Sequence, residues 1–148
     1  MRVSVREEDF DVSAELKALS SDDIGALVSF VGQVRQNKQG PKLLSMTLEH
    51  YPEMTEAQIE HIIQEAETRW PLQGVRVIHR IGRLEMGAQI VLVAVASAHR
   101  TAAFEAAHFI MDYLKTDAPF WKAEETETGT IWVDARDADE TAKARWQT

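Results

Sequence analysis

The spacing of hydrophobic and polar residues along the chain predicts which segments form strands. Segments that alternate between the two types, or that are rich in β-branched and aromatic residues, are typical of strands. Such segments occur at residues 1–6, 25–35, 43–50, 75–81, 89–97 and 131–133. A polar stretch at residues 36–41, which contains Gly40 and Pro41, predicts a loop after the second of them. A turn through Gly87 is predicted to join the strands at 75–81 and 89–97.

Apolar residues spaced three and four positions apart predict helices. The helices are expected at residues 13–19, begun by Ser13, from Thr55 to just before Pro71, at 98–115 and at 138–146. Thr55 and Gln58 have the spacing of a capping box, and Pro71 would end the helix that they begin. The third helix is expected to bury one apolar face, made of Ala103, Phe104, Ala107, Met111 and Leu114. The aromatic residues expected in the core are Trp70, Phe104, Phe109, Phe120 and Trp121.

The chain length and the order of these elements predict the class of fold. A chain of 148 residues is the size of one domain, so a single domain is expected over residues 1–148. The predicted strands and helices do not form regular β–α–β units. We therefore expect an α+β fold with mixed or antiparallel strands and three to four helices.

Acidic residues outnumber basic ones, which argues against partners that carry many negative charges. The formal net charge is −8, from 16 Lys and Arg against 24 Asp and Glu. Neither nucleic acid nor an anionic membrane is an expected partner, because both are bound mainly through cations. The segment 76–122 differs, since its six cations and four acids give it a net charge of +2. The longest apolar run, residues 90–96, is too short to span a bilayer, and a cytoplasmic protein is expected.

Several reaction centres are excluded by the residue types and spacings present. The chain contains no Cys, which excludes disulfides, thiolate metal sites and cysteine nucleophiles. Its five His residues have neither the HxH nor the HExxH spacing, so no metal site is predicted. His50 and His79 lie in predicted strands and are interpreted as core residues.

The junction between the strand at 89–97 and the following helix is a candidate anion site. Ser97 is predicted to be the N-cap, which would place His99 and Arg100 in the first helical turn. The helix dipole disfavours cations there, but an anion such as phosphate would bind the free N–H groups and neutralise both side chains. The alternative is that Arg100 pairs with a nearby acid and His99 lies on the surface.

Lys115 and Lys122 bracket a short segment and are candidates for a catalytic pair. In a shared pocket, repulsion and burial would each lower the pKa of a lysine, which would then act as nucleophile or base near neutral pH. Alternatively, Lys115 complements the negative end of a helix and the stem of Lys122 packs on apolar surface. Arg35, before the 36–41 loop, is either a solvated residue or a bidentate anion clamp.

Four blocks of sequence resemble the large, catalytic subunit of molybdopterin synthase in their order and spacing. They are residues 25–35 (GALVSFVGQVR), 48–52 (LEHYP), 79–82 (HRIG) and 94–124 (AVASAHRTAAFEAAHFIMDYLKTDAPFWKAE). The last block is the most specific, and the resemblance covers nearly the whole chain. It implies an α+β fold that includes an α/β-hammerhead element.

The resemblance also implies an activity and partners. Members of that family convert cyclic pyranopterin monophosphate into molybdopterin, in molybdenum cofactor biosynthesis, by inserting two sulfur atoms as a dithiolene. This sulfurtransferase chemistry requires no redox cofactor. The sulfur arrives as a thiocarboxylate on the C-terminal Gly-Gly tail of a small ubiquitin-like subunit, which enters a pocket of the large subunit. The implied assembly is a heterotetramer, in which a homodimer of large subunits carries one small subunit at each end.

The matching positions imply roles for individual residues. Lys115 resembles the essential active-site lysine and Lys122 its companion. The positions implied in substrate binding are Gln33, Val34, Arg35, His99, Arg100, Lys115, Lys122, Ala123, Glu124 and Arg136. Two residues depart from the family pattern, Glu53 in place of a common glycine and Asp117 in place of a common basic residue. Asp117 would raise the pKa of a lysine beside it.

Two other classes of function stay open. One is a non-catalytic α+β module that binds a phosphorylated small molecule at His99 and Arg100 and gives Lys115 no chemical task. The other is a cofactor-free phosphoester hydrolase with His99 as its base, although the sequence shows no acid that would orient this histidine.

Overall fold

The computed structural model describes residues 2–36, 38–133 and 143–147. The strands and helices in these ranges are, in chain order, β1 (Val3–Arg6), α1 (Val12–Leu19), β2 (Ala26–Gln33), β3 (Leu43–His50), α2 (Met54–Arg69), β4 (Gly74–Arg80), β5 (Gly82–Glu85), β6 (Gln89–Ser97), α3 (Arg100–Asp117), β7 (Phe120–Thr126) and β8 (Gly129–Val133). The strands form two four-stranded sheets. The prediction of an α+β fold with mixed or antiparallel strands is confirmed.

The first sheet has the strand order β1-β4-β6-β2 and is covered by helices on both faces. β1 pairs with β4 in parallel, and the other neighbours are antiparallel. α2 and α3 pack on one face, where Ile63, Val93 and Ile110 are fully buried. α1 covers the opposite face, around Ile78 and Leu92. Because both of its faces are covered, β6 is a continuous apolar run rather than an alternating one.

The second sheet has the order β5-β3-β7-β8 and is antiparallel throughout. It buries Leu43, Leu48 and Leu84 in a smaller hydrophobic cluster. Ile90 of β6 packs against this cluster, so the second sheet meets one end of the first. The cavity described below opens at this junction.

Two strands, β5 and β7, lie outside the segments whose pattern predicts a strand. β5 falls where the pattern predicts only a turn, although Gly87 does form that turn with a φ of 82°. β7 contains Lys122, Glu124 and Glu125, and such charged residue types are depleted in strands. Its pairing with β3 on one side and β8 on the other overrides this weak propensity.

The starts of α1 and α3 differ from the predicted caps. α1 is capped by Asp11, whose carboxylate accepts a 3.1 Å hydrogen bond from the first turn, and not by Ser13. α3 has His99 as its N-cap, with no side-chain capping bond. The hydroxyl of Ser97 donates instead to the carbonyl of Pro71 at 2.9 Å, which ties β6 to the segment after α2.

α2 begins at a strained turn and not with the predicted capping box. Its N-cap, Glu53, has a φ of 69° and a ψ of −47°. The N–H of Met54 donates a 2.8 Å hydrogen bond to the carbonyl of Pro52. This is a γ-turn of the rare positive-φ kind, which a glycine adopts with less strain. Thr55 lies inside the helix, where its buried hydroxyl accepts from the N–H of Tyr51 and donates to the carbonyl of Pro119, both at 3.0 Å.

Two aromatic residues that are predicted in the core lie on the surface. Phe104 of α3 is 61% exposed and Trp121 of β7 is 43% exposed, whereas Phe109 is buried as predicted. The predicted helix at 138–146 lies outside the described residues as far as position 142, and residues 143–147 form a hydrogen-bonded turn. None of the three described helices is long and apolar enough to cross a membrane.

Candidate functional site

A cavity of about 640 Å³ opens beside the C-terminal end of α3, where the two sheets meet. Among the described residues, four cations line it, namely Arg35, Lys38, Lys115 and Lys122. Glu124 is the only acid among the described residues that line it. Its apolar wall is made by Met46, Leu48, Ile90 and Leu114. Apolar walls with a few convergent cations are suited to a small organic anion.

Lys115 reaches the cavity from the last turn of α3. The carbonyl groups at this end of a helix carry partial negative charge, which favours an ammonium group. The preceding residue, Leu114, is buried in the core and fixes the turn, while the side chain of Lys115 is exposed. The helix therefore holds the lysine backbone in place and leaves its ammonium group accessible.

β7 supplies the second lysine through the alternation of a strand. Successive side chains point to opposite faces, so Phe120, Lys122 and Glu124 share one face. All three line the cavity. Pairing with β3 places Lys122 opposite Leu48 and Glu124 opposite Met46. The sheet therefore fixes one cation and one carboxylate side by side on the wall.

Arg35 is positioned by the segment that leaves β2. The backbone of Val34 makes two hydrogen bonds, of 2.9 and 2.8 Å, with the turn between β5 and β6. On the other side, the side-chain amide of Gln36 bonds the N–H (2.6 Å) and the carbonyl (3.0 Å) of Leu43. Arg35 lies between these two anchors, so its guanidinium lines the cavity from a backbone that is held on both sides.

His79, on β4, is a buried histidine that also lines the cavity. Its side chain stacks on the ring of Phe120, with centroids 3.8 Å apart, and its Nδ1 lies 2.8 Å from the carbonyl oxygen of Arg80. Burial lowers the pKa of His79 to about 4, although its contact with the Arg80 carbonyl opposes the shift. The positive charges of Lys115 and His50 lower the pKa of His79 further. The imidazole is therefore neutral near pH 7.

Five of the residues predicted for the site line this cavity, namely Gln33, Arg35, Lys115, Lys122 and Glu124. Val34 and Ala123, which lie next to them in the sequence, do not line it, and both side chains are buried elsewhere. The interpretation of His79 as a core residue is right about its burial but misses its place in the cavity wall. Its signal is the HRIG block, which belongs to the family resemblance.

His99 and Arg100 lie at the opposite end of α3 from Lys115. Both side chains are exposed, and neither lines the cavity. At about 1.5 Å per residue, the 15 residues from Arg100 to Lys115 separate them by roughly 22 Å along the helix. Arg136, the remaining nominated residue, lies outside the described residues. One described copy of the chain therefore does not bring these cations to Lys115.

Residues 143–147, which we call the C-terminal clasp, bind two acids near the end of α3. The ammonium of Lys143 lies 2.7 Å from the carboxylate of Asp117. Arg145 and the indole of Trp146 both donate to Asp112, at 2.9 and 2.6 Å. The charge of Asp117, which departs from the family pattern, is therefore countered by the clasp.

The side chains of the cavity define the chemistry available there. In residues 2–36, 38–133 and 143–147, no group of three His, Asp or Glu side chains could hold a metal ion. The described residues that line the cavity offer four cations, a neutral imidazole and one carboxylate. Such a set can bind an anion and can transfer protons through a lysine.

The fold and the cavity define a class of protein, an α+β domain whose two sheets enclose a cavity lined by cations, two of them lysines. The chain belongs to the family described as MoaE protein, whose family model matches residues 5–117. The resemblance read from the sequence blocks is confirmed.

Curated relatives and solved structures match nearly the full length of the chain. The molybdopterin synthase catalytic subunit of Vibrio cholerae is 55% identical over 147 residues, which cover 99% of this chain and 98% of the relative. Its counterpart in Escherichia coli K12 is 51% identical over 146 residues, which cover 98% and 97%. The molybdopterin biosynthesis MoaE protein of Burkholderia ambifaria superposes with a TM-score of 0.85 at 49% identity, covering 99% of this chain and 97% of that one. Molybdopterin synthase from Staphylococcus aureus superposes with a TM-score of 0.86 at 30% identity, covering 90% and 98%.

Proposed function

We propose that this chain is the catalytic subunit of a molybdopterin synthase, acting in molybdenum cofactor biosynthesis. In this role it converts cyclic pyranopterin monophosphate into molybdopterin with sulfur from the C-terminal thiocarboxylate of a small ubiquitin-like subunit. Relatives that carry this name and share half of its residues or more support the proposal. The observation that carries it is the convergence of Lys115, Lys122 and Arg35 on one cavity.

The cations of the cavity suit both of the proposed reactants. The pterin carries a cyclic phosphate, and the tail of the small subunit ends in a negatively charged group. Bringing two anions together in one cavity requires cations that offset their repulsion. The chain as a whole has a net charge of −8, so the four cations are a local feature and not a consequence of composition.

Lys115 is the proposed acid and base of sulfur transfer, or its transient covalent group. Attack of a thiocarboxylate on the pterin side chain needs proton transfer and a cation close to the developing negative charge. The exposed ammonium of Lys115 at the cavity wall can fill either role. Lys122 and Arg35 hold the anionic groups of the reactants in place, and Glu124 and Gln33 add polar contacts.

The proposed assembly gives His99 and Arg100 a place in the reaction. We propose a cytoplasmic heterotetramer, in which a homodimer of this chain carries one small subunit at each end. Because Arg100 lies roughly 22 Å from Lys115 along α3, it can bind the same substrate only when a second copy supplies it. The exposed apolar side chains of Phe30 and Phe104 offer a surface for that second copy.

A reconstituted reaction tests the proposed function. The protein is mixed with a thiocarboxylated small subunit and cyclic pyranopterin monophosphate, and the dithiolene product is measured. The proposal predicts multiple turnovers of product. Binding of the pterin without conversion would instead favour a non-catalytic module, and release of phosphate without sulfur transfer would favour a phosphoester hydrolase.

A further inference from the structure

We propose that His79 is a specificity-determining residue whose Nε2 accepts a hydrogen bond from an N–H group of the ligand in the cavity. The inference rests on the proposed function for the identity of the ligands, the pterin and the Gly-Gly tail. Its physical basis is the fixed tautomer, the fixed orientation and the neutral state of this imidazole.

The contact of His79 with the backbone determines which ring nitrogen carries the proton. Its Nδ1 lies 2.8 Å from the carbonyl oxygen of Arg80. A carbonyl oxygen can only accept a hydrogen bond, so Nδ1 must be the donor and must carry the hydrogen. In a neutral imidazole the other nitrogen, Nε2, then has a lone pair and can only accept.

The packing of His79 holds the ring in one orientation at the cavity wall. β4 is an interior strand of the first sheet, and His79 pairs with Val5 of β1 and Val91 of β6. The ring stacks on Phe120 at 3.8 Å with an interplanar angle of 19°. Both rings line the cavity. With the backbone paired on both sides and the ring stacked, the acceptor position is set before a ligand arrives.

The surroundings of His79 keep the acceptor uncharged. His79 is only 8% exposed, and the positive charges of Lys115 and His50 oppose a further positive charge on it. Every cation of the cavity can only donate hydrogen bonds, and Glu124 is the one carboxylate among the described lining residues. His79 therefore offers an acceptor that does not repel the anionic groups bound nearby.

The chemistry that fits this acceptor is an N–H group adjacent to an anionic group. The pterin ring and the backbone amides of a Gly-Gly tail both provide such groups. An acceptor without charge distinguishes a ligand with the N–H from an isosteric one without it, because the unpaired buried group costs free energy.

Two substitutions separate the acceptor from the packing. His79→Phe keeps an aromatic ring against Phe120 but removes the acceptor, and His79→Gln places an amide oxygen near the position of Nε2. Dissociation constants are measured for cyclic pyranopterin monophosphate and, separately, for the small subunit with an unmodified Gly-Gly carboxylate. We expect His79→Phe to weaken binding of one of the two by about tenfold, and His79→Gln to stay within about threefold of wild type. The control is His61→Phe, at an exposed position of α2.

Wild-type affinity of His79→Phe for both ligands would overturn the inference. If that variant does not fold, the wild-type protein labelled with ¹⁵N-histidine provides the test. The Nε2 resonance of His79 should be that of an unprotonated nitrogen and should shift when the ligand is added. A protonated Nε2, or a resonance that neither ligand shifts, would equally overturn it. Turnover of the wild-type protein is assayed separately, so failure of the proposed function is distinguished from failure of this inference.

Discussion

Both ends of α3 carry cations, but only the cation at the C-terminal end lines the cavity, whereas those at the N-terminal end lie outside it. At the C-terminal end, Lys115 sits where helix carbonyls favour a positive charge and where a cavity has formed. At the N-terminal end, Arg100 sits where the helix dipole disfavours it, and the N-cap His99 makes no side-chain capping bond. The first end is stabilised by its own chain, whereas at the second a bound anion would offset the unfavourable interaction of Arg100 with the helix dipole.

Contacts from two other parts of the chain also brace the C-terminal end. The hydroxyl of Thr55, at the start of α2, donates to the carbonyl of Pro119, just beyond the helix. The C-terminal clasp binds Asp112 and Asp117 through Lys143, Arg145 and Trp146. Under the proposed function, the lysine assigned to catalysis has a braced backbone, whereas His99 and Arg100, assigned to substrate binding, are exposed in the single chain.

The largest expected effect is a fall in the rate of product formation when Lys115, at the C-terminal end of α3, is replaced. Lys115→Ala should lower the rate of dithiolene formation by at least about 100-fold, because it removes the proposed acid–base group. Binding of the small subunit should stay close to wild type. The control is Lys17→Ala, an exposed lysine on α1, which should leave the rate unchanged. Turnover of Lys115→Ala at the wild-type rate would remove this lysine from the mechanism.

The next effect is a dependence of stability on pH that comes from His79, beside the braced end. Its pKa is lowered from 6.5 to about 4 in the folded protein. The unfolded chain therefore binds the proton more tightly, so the stability that His79 contributes is complete above pH 6.5 and is lost as the pH falls towards 4. The loss amounts to roughly 3 kcal/mol in the free energy of unfolding. Urea titrations at several pH values from 7 to 4 should show this loss of unfolding free energy in wild type but not in His79→Gln. The same dependence of the unfolding free energy on pH in both proteins would contradict the prediction.

A smaller effect should follow when the clasp is weakened. Trp146 packs edge-on against Trp70 and Phe109 and donates to Asp112. Trp146→Ala should lower the free energy of unfolding by about 2 kcal/mol, less than a fully buried tryptophan would. The matched control is Trp132→Ala, because Trp132 is 62% exposed and its loss should cost less than about 0.5 kcal/mol. Equal losses in the two variants would show that the clasp does not brace the helix.

The smallest expected effect is a gain in stability at the start of α2. Glu53 has a φ of 69° in its γ-turn, where a glycine is less strained. Glu53→Gly should raise the free energy of unfolding by about 0.5–1 kcal/mol, after the entropy cost of glycine is subtracted. Glu65→Gly, at an exposed site within α2, should instead destabilise by about 1 kcal/mol. A loss of stability in Glu53→Gly would mean that the turn is not strained.

The sequence predicts most of the fold because the two covered faces of the first sheet leave clear patterns. For this reason the apolar run of β6 predicts a strand, and the spacing of apolar residues in α3 predicts a helix. β7 cannot be predicted in this way, because Lys122 and Glu124 belong to a cavity wall and the strand depends on pairing with β3 and β8. The capping box predicted at Thr55 is wrong, because the hydroxyl of Thr55 makes a tertiary hydrogen bond to Pro119 and does not cap the helix.

The candidate site is predictable residue by residue only in part. Lys115 and Lys122 meet because a helix end and a strand face each other, as the family resemblance implies. Val34 and Ala123 are adjacent to lining residues, but the alternation of side chains sends theirs away from the cavity. His79 resembles a core residue in the sequence because it is buried in a strand, and only the folded structure places it in the cavity wall.

In the proposed dimer, the two ends of α3 act in one site but come from different copies of the chain. Mixing two inactive variants, Lys115→Ala and Arg100→Ala, tests it most directly. In a mixed dimer one site would contain both substitutions and the other neither, so re-equilibrated mixtures should recover about a quarter of wild-type product formation. If Arg100 and Lys115 instead act within one copy, every site in the mixture carries a substitution. The mixture would then stay as inactive as either variant alone, and that result would rule out a site shared between two copies.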